Sequence, residues 1–143
     1  MPYPEELVEP MREELTRMGV QELRTPDEVD AFMRENRERT ALVFVNSVCG
    51  CAAGMARPGL ALALTHDRVP GAVATVFAGQ DLEATNRARA YFENHPPTSP
   101  QIALFKEGKL VRLIQRQEIE GRDPGDVATN LIQAFDRYCV AAG

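Results

Sequence analysis

Two short runs of this chain are apolar at nearly every position: Ala41-Leu42-Val43-Phe44-Val45, and Ala72 to Ala78. Runs of this length without polar alternation suit strands covered on both faces, as in parallel sheets. Around them the hydrophobic spacing lengthens to that of helices. Glu5 to Met18 puts Leu7, Val8, Met11, Leu15 and Met18 on one side, with Gly19 as the stop. Thr25-Pro26-Asp27-Glu28 opens a second helix: Thr25 is the N-cap, Pro26 takes the first helical position, and Glu28 completes a capping box. That helix reaches about Arg37 and turns Val29, Phe32 and Met33 inward. Further helices are predicted from Ala52 to about Thr65, from Leu82 to about Asn94, and from Asp123-Pro124 onward, the last with Val127, Leu131, Ile132 and Phe135 inward. Gln101 to Lys106 and Lys109 to Gln115 flank Glu107-Gly108 and read as a hairpin, preceded by the rigid loop Pro96-Pro97-Thr98-Ser99-Pro100.

The element order is therefore αα-β-α-β-α-β-β-α. Apolar strands separated by helices imply parallel βαβ pairing, and the closing hairpin adds an antiparallel edge. The expected architecture is one α/β domain over residues 1–143, a mixed sheet of about four strands flanked by helices, with residues 1–38 as a helical extension. A chain of 143 residues can bury a core without staples. A net charge of -5 and a pI near 5.1 argue against a nucleic-acid surface. No basic-then-apolar leader precedes Glu5, and no apolar stretch approaches the length of a membrane span, so a cytoplasmic location is expected.

Cysteine usage changes the picture most. Two of the three cysteines form Cys49-Gly50-Cys51, directly after the first apolar strand and directly before a helix. Unpaired N–H groups and the dipole at a helix start favour a thiolate, the nucleophilic form of cysteine. Clustered thiols in a reducing compartment more often carry chemistry than structure. Thiol–disulfide exchange is the chemistry this position suggests, with Cys49 as the attacking thiolate and Cys51 as the resolving thiol. A bridge across one intervening residue is cramped, and Gly50 eases it. Asn46 is placed to cap the turn that bears the cysteines. No Lys or His flanks the motif, so helix-end N–H groups are expected to stabilise the thiolate. The alternatives are two buried cysteines, or a non-catalytic metal or iron–sulfur binder using Cys49 and Cys51, although Cys139, His66 and His95 lack ligand spacing. Cys139 is expected as a partly buried helix residue, with a third redox thiol as the alternative; both histidines as solvated; Arg57 as a surface arginine beside a helix-bending Pro58, with a contact to the carboxylates of an acidic thiol as the alternative; and Glu118 and Glu120 as a solvated or hairpin-capping pair.

Several segments resemble known proteins. The order of elements, with two cysteines after the first central strand, is similar to the thioredoxin fold. Ser99-Pro100-Gln101-Ile102-Ala103-Leu104-Phe105-Lys106-Glu107-Gly108-Lys109 resembles the thioredoxin segment that opens on a cis-proline. Val45-Asn46-Ser47-Val48-Cys49-Gly50-Cys51-Ala52-Ala53-Gly54, followed by Ala56-Arg57-Pro58, resembles the bacilliredoxin family, as do Thr75 to Asp81 and Glu118-Ile119-Glu120-Gly121. One departure stands out: Arg116-Gln117 where the family pattern is Arg-His. The resemblance implies a thioredoxin-like fold and removal of bacillithiol, a low-molecular-weight thiol, from S-bacillithiolated client proteins. A protein disulfide isomerase-type activity is the close variant. It further implies no bound cofactor, bacillithiol as co-substrate, a bacillithiol disulfide reductase as partner, and a cis Pro100 that presents the Ser99 backbone to the substrate.

Overall fold

The computed structural model describes residues 2–93 and 95–140. Its elements in chain order are α1 (Glu5–Thr16), β1 (Gln21–Glu22), α2 (Pro26–Glu35), β2 (Thr40–Asn46), a π-helical turn (Ala52–Ala56) leading into α3 (Arg57–Ala63), β3 (Ala72–Phe77), α4 (Leu82–Ala90), β4 (Gln101–Lys106), β5 (Lys109–Ile114), a 3₁₀ turn (Arg116–Glu118) and α5 (Pro124–Tyr138). The expected end of the fourth helix at Asn94 lies outside the described residues.

The sheet has five strands in the order β1-β3-β2-β4-β5. β2 and β3 pair in parallel, while β4 runs antiparallel to β2 and forms a hairpin with β5. The hairpin closes on Glu107 and Gly108, both with positive φ (53° and 79°), which matches the tight turn that Glu-Gly signals. A fifth strand, β1, is added to the expected sheet of about four. It is two residues long and pairs in parallel with β3 at the edge.

Alternation along β2 builds two apolar layers. Leu42 and Phe44 face a cluster completed by Leu60, Ile102, Leu104, Ile114, Val127, Leu131 and Phe135, under α3 and α5. Ala41, Val43 and Val45 face a second cluster with Val29, Phe32, Ala74, Val76, Phe92 and Phe105, under α2 and α4. A fully buried Leu or Phe contributes about 1.5–3 kcal/mol by leaving water, so these layers set the strand register. The capping boxes at Thr25/Glu28 and Asp123/Asp126 form as the helix starts demand.

α1 departs from its expected face. Val8 and Leu15 are buried, but Leu7 is exposed and Arg12 is buried in its place. Arg12 is accepted because Glu5, Glu22 and Asp81 all receive its donors at 2.8–2.9 Å and Phe77 lies beneath its guanidinium. The tie to Asp81 fastens α1 to the N-cap of α4.

Candidate active site: a dithiol at the end of the central strand

β2 ends at Asn46, and the helical path begins within four residues. Ala52 and Ala53 both donate their backbone N–H to the Cys49 carbonyl at 3.1 Å, so Cys49 sits as the residue that starts the helix. The π turn follows immediately. Such turns insert a residue into a helix and often accompany functional sites.

The two thiols are both free, and their surroundings differ. Cys49 is half-buried. The Ser47 hydroxyl donates to its Sγ at 3.1 Å, and the Cys49 N–H reaches the same hydroxyl at 3.4 Å. Burial pushes the Cys49 thiol up, but the Ser47 hydroxyl, the Ala52 and Cys51 backbone N–H groups and the Arg116 charge outweigh it, leaving its pKa below the ordinary value. Cys51 belongs to the core layer under α3 and α5. Burial, then the charge on Cys49, raises its pKa, and Glu120 adds to the rise. A low-pKa, accessible thiol next to a high-pKa, covered one is the arrangement of an attacking and a waiting sulfur.

Arg116 is the basic neighbour that the flanks of the motif do not contain. It comes from the turn after β5, donates to the Ser99 carbonyl at 3.3 Å and pairs with Glu120 at 2.9 Å. Of the two expected roles, Glu118 takes the capping one, and Glu120 is exposed but paired. Glu118 pairs with Arg112 at 2.7 Å and accepts the Gln115 N–H at 3.1 Å, fixing that turn. Gln117, at the family's histidine position, is exposed.

The Ser99–Pro100 bond is cis and Pro100 is buried. The loop before it is held by polar side chains that sequence reasoning missed. Thr98 Oγ1 and Gln101 Nε2 both donate to Gln115 Oε1 at 2.7 Å, and Arg89 donates to the Thr98 carbonyl at 2.7 Å.

Asn46 does hold the cysteine-bearing turn. Its Oδ1 accepts the Ser47 N–H at 2.9 Å, and its Nδ2 reaches the Met11 carbonyl on α1 at 3.3 Å. Arg57 is not a surface arginine: it is 3% exposed. Nη1 donates to Asn46 Oδ1 and to the Ser47 carbonyl, both at 2.9 Å, and Nε pairs with Glu14 of α1. The sequence signals for this were its nearness to the cysteines and its place in the Ala56-Arg57-Pro58 segment that carries the family resemblance.

The remaining candidates lie apart from the dithiol's hydrogen bonds. Cys139 ends α5, buried in the core layer under α3 and α5, with burial raising its pKa. His66 pairs with Asp136 at 2.7 Å, and His95 bonds the Phe92 carbonyl. Among the described residues no group of three or more His, Cys, Asp or Glu is arranged to hold a metal ion. Nor is any described helix long and apolar enough to cross a membrane.

The fold and the dithiol together define a thioredoxin-like thiol–disulfide oxidoreductase. Solved thioredoxins support the fold. That of Fasciola hepatica matches with a TM-score of 0.59 at 22% identity, covering 83% of this chain and 99% of its own. That of Nicotiana alata matches with a TM-score of 0.60 at 14% identity, covering 85% of this chain and 93% of its own. The family model described as disulphide isomerase matches residues 3–139. A bacilliredoxin of Koribacter versatilis is 55% identical over 139 residues, 97% of this chain and 95% of the relative. One from Salinibacter ruber is 54% identical over 140 residues, 97% of this chain and 82% of the relative. The chain belongs to the bacilliredoxin family.

Proposed function

We propose that this protein removes bacillithiol from S-bacillithiolated proteins, with Cys49 attacking and Cys51 resolving. The observation that carries the reading is the asymmetry of the pair: Cys49 half-buried with donors on its sulfur, Cys51 covered and held protonated. The substrate class rests on the family.

The Cys49 thiolate attacks the bacillithiol sulfur of the mixed disulfide. A Cys49–bacillithiol disulfide bond forms, the sulfur–sulfur bond between bacillithiol and the client breaks, and the client leaves as a thiolate that takes up a proton. With Cys49 no longer anionic, the charge that raised the Cys51 pKa is gone, which eases its ionisation. Cys51 then attacks Cys49 Sγ, closing a Cys49–Cys51 disulfide and releasing bacillithiol. A second bacillithiol can instead attack the adduct and leave as bacillithiol disulfide. Gly50 gives the short loop between the sulfurs backbone freedom, with open space around it. Asn46 holds the turn, and Ser99 and Pro100 offer the backbone edge for the client chain. The proposed setting is the cytosol, where a bacillithiol disulfide reductase returns the electrons, and the whole chain acts as one domain.

The family description favours a second reading, isomerisation of protein disulfides, which would begin with the same attack by Cys49. Intact mass separates the two. The chain is challenged with bacillithiol disulfide, glutathione disulfide and a scrambled protein. Preferential transfer of one bacillithiol to Cys49, accumulating in Cys51→Ser, supports the first reading. Equal reaction with both small disulfides, together with recovery of the scrambled protein, supports the second.

A further inference from the structure

Arg57 poses a physical question. A buried guanidinium must be repaid by well-placed acceptors, and this one spends its donors on a turn ten residues earlier in the chain. The path is straightforward. Long side chains on a helix run back toward its N-terminus, and the Asn46–Ser47 turn lies at that end.

We propose that Arg57 is a positioning residue for the attacking thiol: it fixes the Asn46–Ser47 turn and so aims the Ser47 hydroxyl at Cys49 Sγ. The inference rests on the reading that Cys49 attacks. Both polar groups of the Ser47 backbone are held. Its carbonyl accepts from Arg57 Nη1, and its N–H donates to Asn46 Oδ1. That same oxygen accepts from Arg57, so one guanidinium secures both anchors of the turn. With the Ser47 backbone fixed at both ends, its hydroxyl has one remaining rotor and meets Cys49 Sγ at 3.1 Å. Arg57 is itself held by Glu14 on α1, and Asn46 reaches the Met11 carbonyl on the same helix. The N-terminal helix is therefore part of the support of the dithiol. Arg57 makes no hydrogen bond to either sulfur, and at 3% exposure it has no free face for a substrate carboxylate. The cation that acts on Cys49 directly is Arg116.

The planar fork matters here. Lysine keeps the charge but cannot reproduce several donors in one plane, so Arg57→Lys separates geometry from charge. Arg57→Gln, neutral and still a donor, is the second variant. The measurement is the rate of alkylation against pH, read by intact mass, with cooperative melting as the check of folding. Ser47→Ala should raise the midpoint by about one pH unit and slow alkylation at pH 7 about tenfold. Arg57→Lys and Arg57→Gln should reproduce most of that rise. Added to Ser47→Ala, neither should shift the midpoint further, because the group they aim is gone. A folded Arg57 variant with the wild-type midpoint overturns the proposal, as does a shift that adds in full to that of Ser47→Ala. Cys49→Ser distinguishes the underlying reading. If its Cys51 alkylates as fast as the wild-type protein, the order of the cysteines is wrong, whatever Arg57 does.

Discussion

The two ends of β2 each have a cysteine nearby, and they are opposites. Beyond Asn46 lies Cys49, half-buried, where the pKa rise from burial is outweighed by the Ser47 hydroxyl on its sulfur, the Ala52 and Cys51 N–H groups and the Arg116 charge. Near Thr40, the first residue of the same strand, lies Cys139, 4% exposed, where burial outweighs the Thr40 hydroxyl and the Lys106 charge. Thiol reactivity here follows from what surrounds the sulfur. Donors arrive at Cys49 because the chain turns from strand to helix there, exposing N–H groups before the helical bonds begin. Cys139 caps the far end of a helix, where carbonyls dominate.

The comparison breaks most simply by deletion. Cys49→Ser should abolish release of bacillithiol from a model mixed disulfide, whereas Cys139→Ser should release it at the wild-type rate. Loss of activity in Cys139→Ser would give the second end a role that its burial denies.

A sharper test separates local reactivity from global stability. A Cβ at Gly59 on α3 would lie 2.6 Å from two Val127 side-chain carbons on α5. Gly59→Ala should cost about 1–3 kcal/mol by overpacking. Labelling of Cys139 should rise, since it reacts through opening, while the alkylation midpoint of Cys49 stays put. A shifted midpoint would mean that α3–α5 packing, not the turn, sets the thiolate.

The same opposition should appear in stability against pH. Cys49 has a lowered folded pKa, so its contribution is present above the ordinary thiol value of about 8.5 and is lost as pH falls through its folded value. Cys139 has a raised one, so its contribution is present below about 8.5 and is lost as pH rises through its folded value. Melting temperatures across this range should therefore lose part of their alkaline decline in Cys139→Ser and part of their decline below pH 8.5 in Cys49→Ser. Parallel profiles for both variants would contradict the assignment.

The smallest effect belongs to Arg116. Its side chain is 42% exposed and shared with Glu120, so solvent and salt screen it. Arg116→Gln should slow alkylation of Cys49 about two- to threefold at low salt, the small effect expected of an exposed charge. The difference should vanish at high salt. A difference that survives 1 M salt would mean that Arg116 acts through its bond to Ser99 instead.

Much of the fold was legible because β2 and β3 are covered on both faces, so apolar residues fill nearly every position between Ala41 and Phe44 and between Ala72 and Phe77, Thr75 excepted. Helix starts were equally plain at Thr25 and Asp123, whose caps are local interactions spanning three residues. β1 was not legible. It has two polar residues, and Gln21 and Glu22 become a strand only by pairing with Ala74 and Thr75. The face of α1 misled for a similar reason. Periodicity favours Leu7 inward, but three carboxylates from elsewhere admit Arg12. At the site, the thiols stood out by their place between an apolar strand and a helix, and the proline loop by its resemblance to the thioredoxin segment. Arg57 and Arg116 did not, because what makes them relevant is a partner far along the chain: Glu14 for one, the dithiol for the other.

The clasp of α1 bears on how far the molecule can be trimmed. Thioredoxins match this fold almost from end to end while covering little more than four-fifths of it, which invites cutting the chain down to their size. Removing residues up to Thr16 would spare every strand and all three cysteines. It would also take away Met11, Arg12 and Glu14, and with them the outer anchors of Asn46, Asp81 and Arg57. The shortened protein would keep its sheet and lose the fastening behind its reactive turn. An affinity tag at the N-terminus therefore needs a spacer ahead of Glu5, whose carboxylate holds Arg12.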